Sequence, residues 1–246
     1  MIKPTPTYDT ALARRNADFK TLPEALDYAA KGKRGLNFYS PRGELENSIT
    51  FAQIRKRSNE IGRRLVHFGI KKKSRVALIA ETNEDFVCYF LGCQYAGLLP
   101  VPLPLPTSFG GRDGYTEQLH QQMKSCGASL ALSAAYMLPL LDEATSGLDM
   151  LFVGTPDAFE DQSSEQDLKN VKLPEVKQDD LAYLQYSSGS TRFPHGVAIT
   201  HKSLMSNSYG IGKIGMDVCD DDRAVSWLPF YHDMGLVGML ITPITF

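Results

Sequence analysis

The sequence has little cysteine, and its cysteines show no metal-site spacing. The four residues, Cys88, Cys93, Cys126 and Cys219, lack the paired arrangement of zinc ligands, and two of them lie in an apolar stretch. We therefore expect reduced, buried thiols in a reducing compartment, which indicates the cytoplasm. The same composition excludes small disulfide scaffolds, collagen and disordered chains.

The sequence also lacks an excess of charge of either sign. Its 26 basic and 28 acidic residues give a formal net charge of −2 at pH 7. Such a balance provides no basic surface for a nucleic-acid backbone or an anionic membrane, so no nucleic-acid partner is expected. The basic run from Lys71 to Lys73 is short, and we interpret it as a solvated turn.

No apolar run is suited to spanning a membrane. Residues 86–111 carry no charge, but they contain Pro100, Pro102, Pro104 and Pro106, which would break a spanning helix repeatedly. We expect a buried helix followed by extended chain in this stretch. The N-terminal residues show no apolar region of the kind found in signal peptides, so no leader is expected.

Helix and strand patterns alternate along the chain. Thr50 with Gln53 forms a capping box, after which apolar residues recur at helical spacing until Gly69. Further patterns predict strands at 76–80, 99–105, 130–132 and 150–153 and helices at 83–96 and 115–125, with another between the last two strands. Alternation of this kind predicts an α/β fold with mostly parallel, helix-covered sheets.

Residues 155–180 differ in composition from their surroundings. They are rich in charge, contain two prolines and show no apolar periodicity, which predicts a surface linker or long loop. We expect residues 1–180 to form a first α/β subdomain ending in this linker, and residues 181–246 to begin a second. Strands are predicted at 181–186 and 197–200, with a helix from about Lys202.

The loop between those two strands is dense in hydroxyl groups and glycine. It contains Ser187, Ser188, Gly189, Ser190, Thr191 and Arg192. Small donors, closely approaching backbone amides and a guanidinium suit a polyphosphate, although the P-loop spacing is absent. Composition alone favours a plain, flexible Ser/Gly hairpin over a phosphate site. A hydrolase using Ser190, His232 and Asp233 is a further alternative, but no G-x-S-x-G elbow surrounds a serine.

Three segments resemble the adenylate-forming superfamily. Residues 184–196, LQYSSGSTRFPHG, resemble its [YF]-[TS]-S-G-[ST]-T-G-x-P-K-G signature, with Arg192 in place of the usual glycine and His195 in place of lysine. Residues 227–236, WLPFYHDMGL, and 90–106, FLGCQYAGLLPVPLPLP, resemble segments of its fatty acyl-AMP ligase branch. The resemblance implies the N-terminal portion of the large domain of such an enzyme.

The resemblance also implies roles for individual residues. Ser187 to Thr191, with Arg192, would cradle the β- and γ-phosphates of ATP, accompanied by Mg²⁺, while a fatty acid carboxylate attacks the α-phosphate. His232 would lie beside the acyl carboxylate and adenylate, where a neutral imidazole can donate one hydrogen bond. Asp233 is expected to be structural, bonding the turn at Met234. The acyl group would then pass to the phosphopantetheine of an acyl carrier protein.

Several family segments have no counterpart in this sequence. Among them are the Y-G-x-[AT]-E segment, the ribose-binding aspartate and the mobile C-terminal domain with its lysine, so we expect an enzyme of greater length and no turnover by these 246 residues alone. An acyl-CoA synthetase is a rival within the enzymes. A non-catalytic nucleotide- or acyl-binding module is a rival from another class.

Overall fold

The computed structural model describes residues 12–106, 111–186 and 195–246. Up to residue 154 its elements are α1 (Leu22–Ala29), β1 (Gly35–Tyr39), β2 (Leu45–Thr50), α2 (Phe51–His67), β3 (Arg75–Ile79), α3 (Glu84–Ala96), β4 (Leu99–Leu103), α4 (Gly111–Cys126), β5 (Ala128–Leu132), a 3-10 turn (Ala135–Met137), α5 (Leu138–Thr145) and β6 (Phe152–Gly154). The remainder comprises α6 (Pro156–Glu160), α7 (Glu165–Leu168), β7 (Leu181–Tyr186), β8 (Gly196–Thr200), α8 (His201–Tyr209), π-helical segments (Gly210–Gly215 and Met234–Ile241) and α9 (Thr242–Thr245).

A parallel sheet of four strands, in the order β4-β3-β5-β6, organises the first part of the chain. Alternate residues of β3 enter two hydrophobic clusters. Val76 and Leu78 pack with residues of α2 and α3, whereas Ala77 and Ile79 pack with residues of α4 and α5. Both faces of the sheet are therefore covered by helices, and the predicted α/β fold is confirmed.

The other two sheets are antiparallel pairs, β1 with β2 and β7 with β8. The strands predicted at 181–186 and 197–200 are thus confirmed, and one short connection joins them, as antiparallel pairing permits. β7 runs close to β4, the edge strand of the parallel sheet. An edge position also explains how β4 accommodates Pro100 and Pro102, which cannot donate to a ladder.

Two predicted helices begin and end as their sequence signals indicate. The Thr50 side chain and Gln53 form both halves of the capping box of α2, and Gly69 follows the helix with φ of 88°. Asn83 caps α3, which is buried from Phe86 to Ala96 and leads into β4. Within the described residues, no helix is both long and apolar enough to cross a bilayer.

The segment 155–180 is more ordered than the sequence predicts. It contains α6 and α7, and the Phe159 ring is buried against Phe68, Tyr89 and Phe152. The Arg64 guanidinium donates to the backbone of this segment. These short helices and the buried ring were not predicted, because a single buried aromatic carries no periodicity that a sequence pattern could detect.

The thiols largely follow expectation. All four cysteines are unbonded to one another, and Cys88, Cys93 and Cys126 are buried, whereas Cys219 is exposed. Burial raises the pKa of the Cys88 thiol to about 12, so it stays protonated and behaves as a small apolar group.

One buried histidine links the two parts of the chain. His201 begins α8, is 1% exposed, and its Nδ1 accepts a hydrogen bond of 3.2 Å from the backbone N–H of Leu22. Burial lowers the pKa of His201 to about 4, and the Asp180 carboxylate offsets only part of that shift. The neutral ring is therefore the form that the fold stabilises.

This histidine should make stability fall in mild acid. In the unfolded chain a histidine has a pKa of about 6.5, so as the pH falls the unfolded chain binds the proton before the folded chain does. The free energy of unfolding therefore decreases as the pH falls from about 6.5 to about 4. At pH 5 the loss from this group is about 2 kcal/mol. His201→Asn keeps an acceptor near Leu22 and should remove that part of the pH dependence.

Urea unfolding at about pH 7.5 and pH 5 would measure the effect. His67→Asn, at an exposed position of α2, is the matched control and should retain the wild-type pH dependence. Equal pH dependence in the wild type and His201→Asn would contradict the assignment.

Candidate functional site

The predicted phosphate loop is described only through its two ends. Ser187, Ser188, Gly189, Ser190, Thr191 and Arg192 lie outside the described residues. Tyr186 at the end of β7 pairs with Gly196 at the start of β8, so the strand pairing closes the base of the loop. His195, which stands where the family motif has lysine, is exposed.

The first end of the loop is fixed to α4 by a tyrosine. The Tyr186 hydroxyl donates a hydrogen bond of 2.7 Å to the backbone carbonyl of Gln122 and also contacts Ser125 Oγ. Burial raises the pKa of Tyr186 to about 12, so the phenol keeps its proton and remains a donor. The backbone entering the loop is therefore held against the helix-covered parallel sheet.

The neighbouring strand residue reaches in another direction. Gln185 Nε2 donates a hydrogen bond of 2.7 Å to the backbone carbonyl of Tyr231, the residue before His232. Gln185 and Tyr231 are 46 positions apart in the sequence, and each lies in one of the two motif segments, 184–196 and 227–236. The structure thus brings His232 next to the strand that enters the predicted phosphate loop.

The turn that carries His232 packs on α3. The ring of Phe230 stacks on that of Phe86 with centroids 5.5 Å apart and 20° between the planes. Within the turn, the His232 N–H donates to the Pro229 carbonyl at 3.1 Å, and the His232 carbonyl accepts from the Leu236 N–H at 2.8 Å. Its backbone is therefore held by ring stacking and hydrogen bonds together.

A glycine permits the turn to close. A Cβ atom at Gly235 would lie 2.2 Å from the Pro229 carbonyl oxygen and 2.9 Å from that of Leu228. Both contacts are with backbone atoms, which cannot rotate away as a flexible side chain can. Glycine is therefore required at position 235 because the backbone of residues 228 and 229 approaches it closely. The sequence motif includes this glycine but does not show the reason for it.

His232 forms a pair with the adjacent aspartate. Its Nδ1 lies 2.8 Å from Asp233 Oδ1, which also accepts from the Met234 N–H at 2.8 Å. Because a carboxylate only accepts, this contact places a proton on Nδ1. The neutral ring then offers Nε2 as an acceptor, and only the protonated ring could donate from Nε2 to a substrate.

The same pair bears on the hydrolase alternative. The side chains of His232 and Asp233 are 54% and 70% exposed. In a serine-hydrolase triad the aspartate is buried and dedicated to orienting the histidine. Here Asp233 also caps the following turn, so the arrangement fits that alternative poorly, and Ser190 lies outside the described residues.

Sequence patterns missed the residues that hold the site together. The sequence patterns give no role to Gln185 or Tyr186. A polar glutamine within a largely buried strand does, however, indicate that its amide has a specific partner. Phe86, expected in the core, is indeed buried there and also supports Phe230. Across the described ranges, no group of three or more His, Cys, Asp or Glu side chains is placed to hold a metal ion.

The role of Gly235 leads to a stability prediction. Gly235→Ala should destabilise the chain by about 1–3 kcal/mol, because the backbone at Pro229 must move. Gly238→Ala is the matched control in the same π-helical segment, where a Cβ would meet no atom within 4 Å. That variant should be neutral or more stable by up to about 1 kcal/mol. Urea unfolding compares the two, and equal stabilities would contradict the close approach.

Comparison with known proteins places this geometry in a family. The model of the AMP-binding enzyme family matches residues 28–245. A protein of Caulobacter vibrioides named "Putative acyl-CoA synthetase" is 44% identical over all of this chain, which covers 41% of it. Long-chain-fatty-acid–AMP ligase FadD32 of Mycolicibacterium smegmatis is 33% identical, with 85% of this chain and 32% of the relative aligned. Medium-chain-fatty-acid–[acyl-carrier-protein] ligase JamA of Moorena producens is 30% identical, with 92% and 38% aligned.

Solved structures agree with these relatives. One from a study of fatty acyl-adenylate ligases of E. coli and L. pneumophila superimposes with a TM-score of 0.88 at 43% identity, over 95% of this chain and 41% of that one. A fatty acyl-adenylate ligase of L. pneumophila in complex with acyl adenylate and pyrophosphate gives 0.79 at 26%, over 95% and 39%. The chain thus spans about two fifths or less of the length of these relatives. With the match to nearly its whole length, the chain belongs to the AMP-binding enzyme family.

Proposed function

We propose that the whole protein is an ATP-dependent ligase that adenylates fatty acids and passes the acyl group to an acyl carrier protein. The observation that carries the proposal is the 2.7 Å hydrogen bond from Gln185 Nε2 to the Tyr231 carbonyl. It joins the strand entering the hydroxyl-rich loop to the turn bearing His232. The names of FadD32 and JamA, a fatty acid–AMP ligase and a carrier-protein ligase, support the same chemistry.

In the proposed first step, a fatty acid carboxylate oxygen attacks the α-phosphorus of ATP. A new O–P bond forms, the bond to the β-phosphate oxygen breaks, and pyrophosphate leaves. Ser187 to Thr191, with Arg192, are proposed to bind the β- and γ-phosphates. Catalysis of this kind comes from positioning and from neutralising oxygen charge, so no protein nucleophile is needed.

Magnesium is proposed to accompany the ATP phosphates, where it would neutralise charge. The described ranges offer no cluster of carboxylate and imidazole ligands that fits a resident metal ion.

His232 is proposed to contact the acyl carboxylate or the adenylate. Its backbone is fixed, while its half-exposed ring remains accessible. With Nδ1 engaged by Asp233, donation to an anionic oxygen would come from Nε2 of the protonated ring. Asp233 would hold the ring in that orientation.

The proposed organisation follows the same contacts. Residues 1–180 are proposed to form a first α/β subdomain and residues 181–246 to begin a second, with β7 as its first strand. Tyr183 belongs to the cluster that contains Val76 and Leu78, and Leu184 packs against the cluster that contains Ala77 and Ile79, so β7 is joined to the residues on both faces of the parallel sheet.

An acyl-CoA synthetase is the second candidate, since the Caulobacter vibrioides relative at 44% identity carries that name. Whole protein incubated with ATP, magnesium and dodecanoate should release pyrophosphate and form acyl-AMP. With a phosphopantetheine-bearing carrier protein we expect an acyl thioester, and with coenzyme A little acyl-CoA. Rapid acyl-CoA formation would assign the protein to the synthetases, and absence of acyl-AMP would contradict adenylation itself.

The phosphate loop gives a second prediction. Arg192→Ala should lower the rate of acyl-AMP formation by roughly ten- to a hundredfold, because a charge-assisted contact of about 1.5–3 kcal/mol is lost. Arg192→Lys should lie between this variant and the wild type, since it keeps the charge without the fork of donors. Lys202→Ala removes an exposed cation outside the loop and serves as control. Steady-state pyrophosphate release would measure all three, and a rate for Arg192→Ala equal to the control would exclude a phosphate contact.

A further inference from the structure

Gln185 occupies a position where a strand normally carries an apolar side chain. It is 8% exposed, and its Oε1 atom has no hydrogen-bond partner among the described residues. A buried amide oxygen without a partner lowers stability. A polar residue at such a position points to a role beyond packing.

The amide nitrogen shows what that requirement is. Gln185 Nε2 donates to the Tyr231 carbonyl at 2.7 Å, one residue before His232. Gln185 itself precedes the first residue of the predicted phosphate loop, Ser187, by two positions. One side chain thus connects the backbones of both predicted site segments.

The other support of the turn lacks this directionality. Phe230 and Phe86 stack nearly parallel, and such rings can slide across one another at small cost. A short amide–carbonyl hydrogen bond is directional and fixes the distance between donor and acceptor. The ring pair therefore holds the turn against α3, while Gln185 determines its position along β7.

We propose that Gln185 is a positioning residue that fixes the His232 turn relative to the end of β7, the strand that leads into the predicted phosphate loop. The inference rests on the proposed function, because it gives those two segments their roles. A misplacement of the turn near the reacting carboxylate lowers the rate of the chemical step more than it weakens substrate binding.

A second glutamine on the same strand contact provides a matched control. Gln94 is 1% exposed, its Nε2 donates to the Ala182 carbonyl of β7 at 2.9 Å, and its Oε1 also lacks a partner among the described residues. Gln94→Met and Gln185→Met therefore remove the same kind of hydrogen bond from the same strand. They differ in that the Gln94 bond ends on β7 itself, at Ala182, and does not reach the turn at residues 227–236, whereas the Gln185 bond ends on that turn, at Tyr231.

Hydrogen exchange measured by mass spectrometry on the whole protein tests the link without requiring activity. In Gln185→Met, the amides of the segment 229–236, which all its residues except Pro229 carry, should exchange about tenfold faster than in the wild type, because the turn loses a fixed contact. In Gln94→Met they should exchange within about twofold of the wild type. Gln185→Asn, which keeps an amide but shortens the side chain, should behave as Gln185→Met and serves if the methionine variant does not fold.

Kinetics of acyl-AMP formation test the role of Gln185 in the reaction. Rates are expressed per active site, with the active sites titrated in a single-turnover experiment. Gln185→Met should lower kcat by about tenfold or more while KM for ATP and for dodecanoate stays within about threefold. Unchanged exchange at residues 229–236, or a kcat equal to that of Gln94→Met, would overturn the inference. A wild-type protein that forms no acyl-AMP would contradict the proposed function instead, and the exchange data would then decide the link alone.

Discussion

The site depends on one strand end that is held on both of its faces. Successive side chains of a strand point to opposite sides, so Gln185 and Tyr186 reach in opposite directions from the last two positions of β7. Gln185 bonds the turn that carries His232, and Tyr186 bonds α4 on the helix-covered sheet. A backbone fixed in this way enters the hydroxyl-rich loop from a defined position, and the pairing of Tyr186 with Gly196 defines where it returns. Preorganisation of this kind would suit the proposed adenylation, since positioning supplies much of the catalysis of such a transfer.

The helix α3 provides the surface on which this arrangement rests. Phe86, Phe90 and Gln94 recur every four residues and therefore lie on one face of the helix. Phe86 stacks on Phe230 of the turn, Phe90 meets Tyr183 edge-on at 5.7 Å, and Gln94 bonds the Ala182 carbonyl. Within this stripe Phe86 contacts the His232 turn, whereas Phe90 and Gln94 contact β7. The contacts of α3 hold each of the two against the helix, and the Gln185 bond joins them to each other.

Local sequence signals predict most of the helices and strands. Contacts between residues far apart in the chain cannot be predicted from those signals. Thr50 with Gln53 and the cap at Asn83 placed two helices, because capping depends on neighbours three residues away. The short helices of segment 155–180 carry no such local signal, since Phe159 is buried by rings far away in the chain. The motif segments were found by resemblance, yet the bond between Gln185 and Tyr231 requires knowledge of which strand lies beside the turn. A buried glutamine can be noticed in a sequence, but its partner cannot be named from it.

In the His232 turn, the backbone and the imidazole ring are held to different degrees. Gly235, Phe230 and Gln185 each fix its backbone, by close approach, ring stacking and a hydrogen bond. The imidazole itself is half exposed and touches only the neighbouring Asp233 carboxylate among the ionisable groups described. The fold therefore fixes the backbone of the turn and leaves the ring accessible. Since Asp233 engages Nδ1, Nε2 is the ring nitrogen left to meet a ligand. For the proposed adenylation, such a turn would hold the imidazole at a defined place beside the acyl carboxylate.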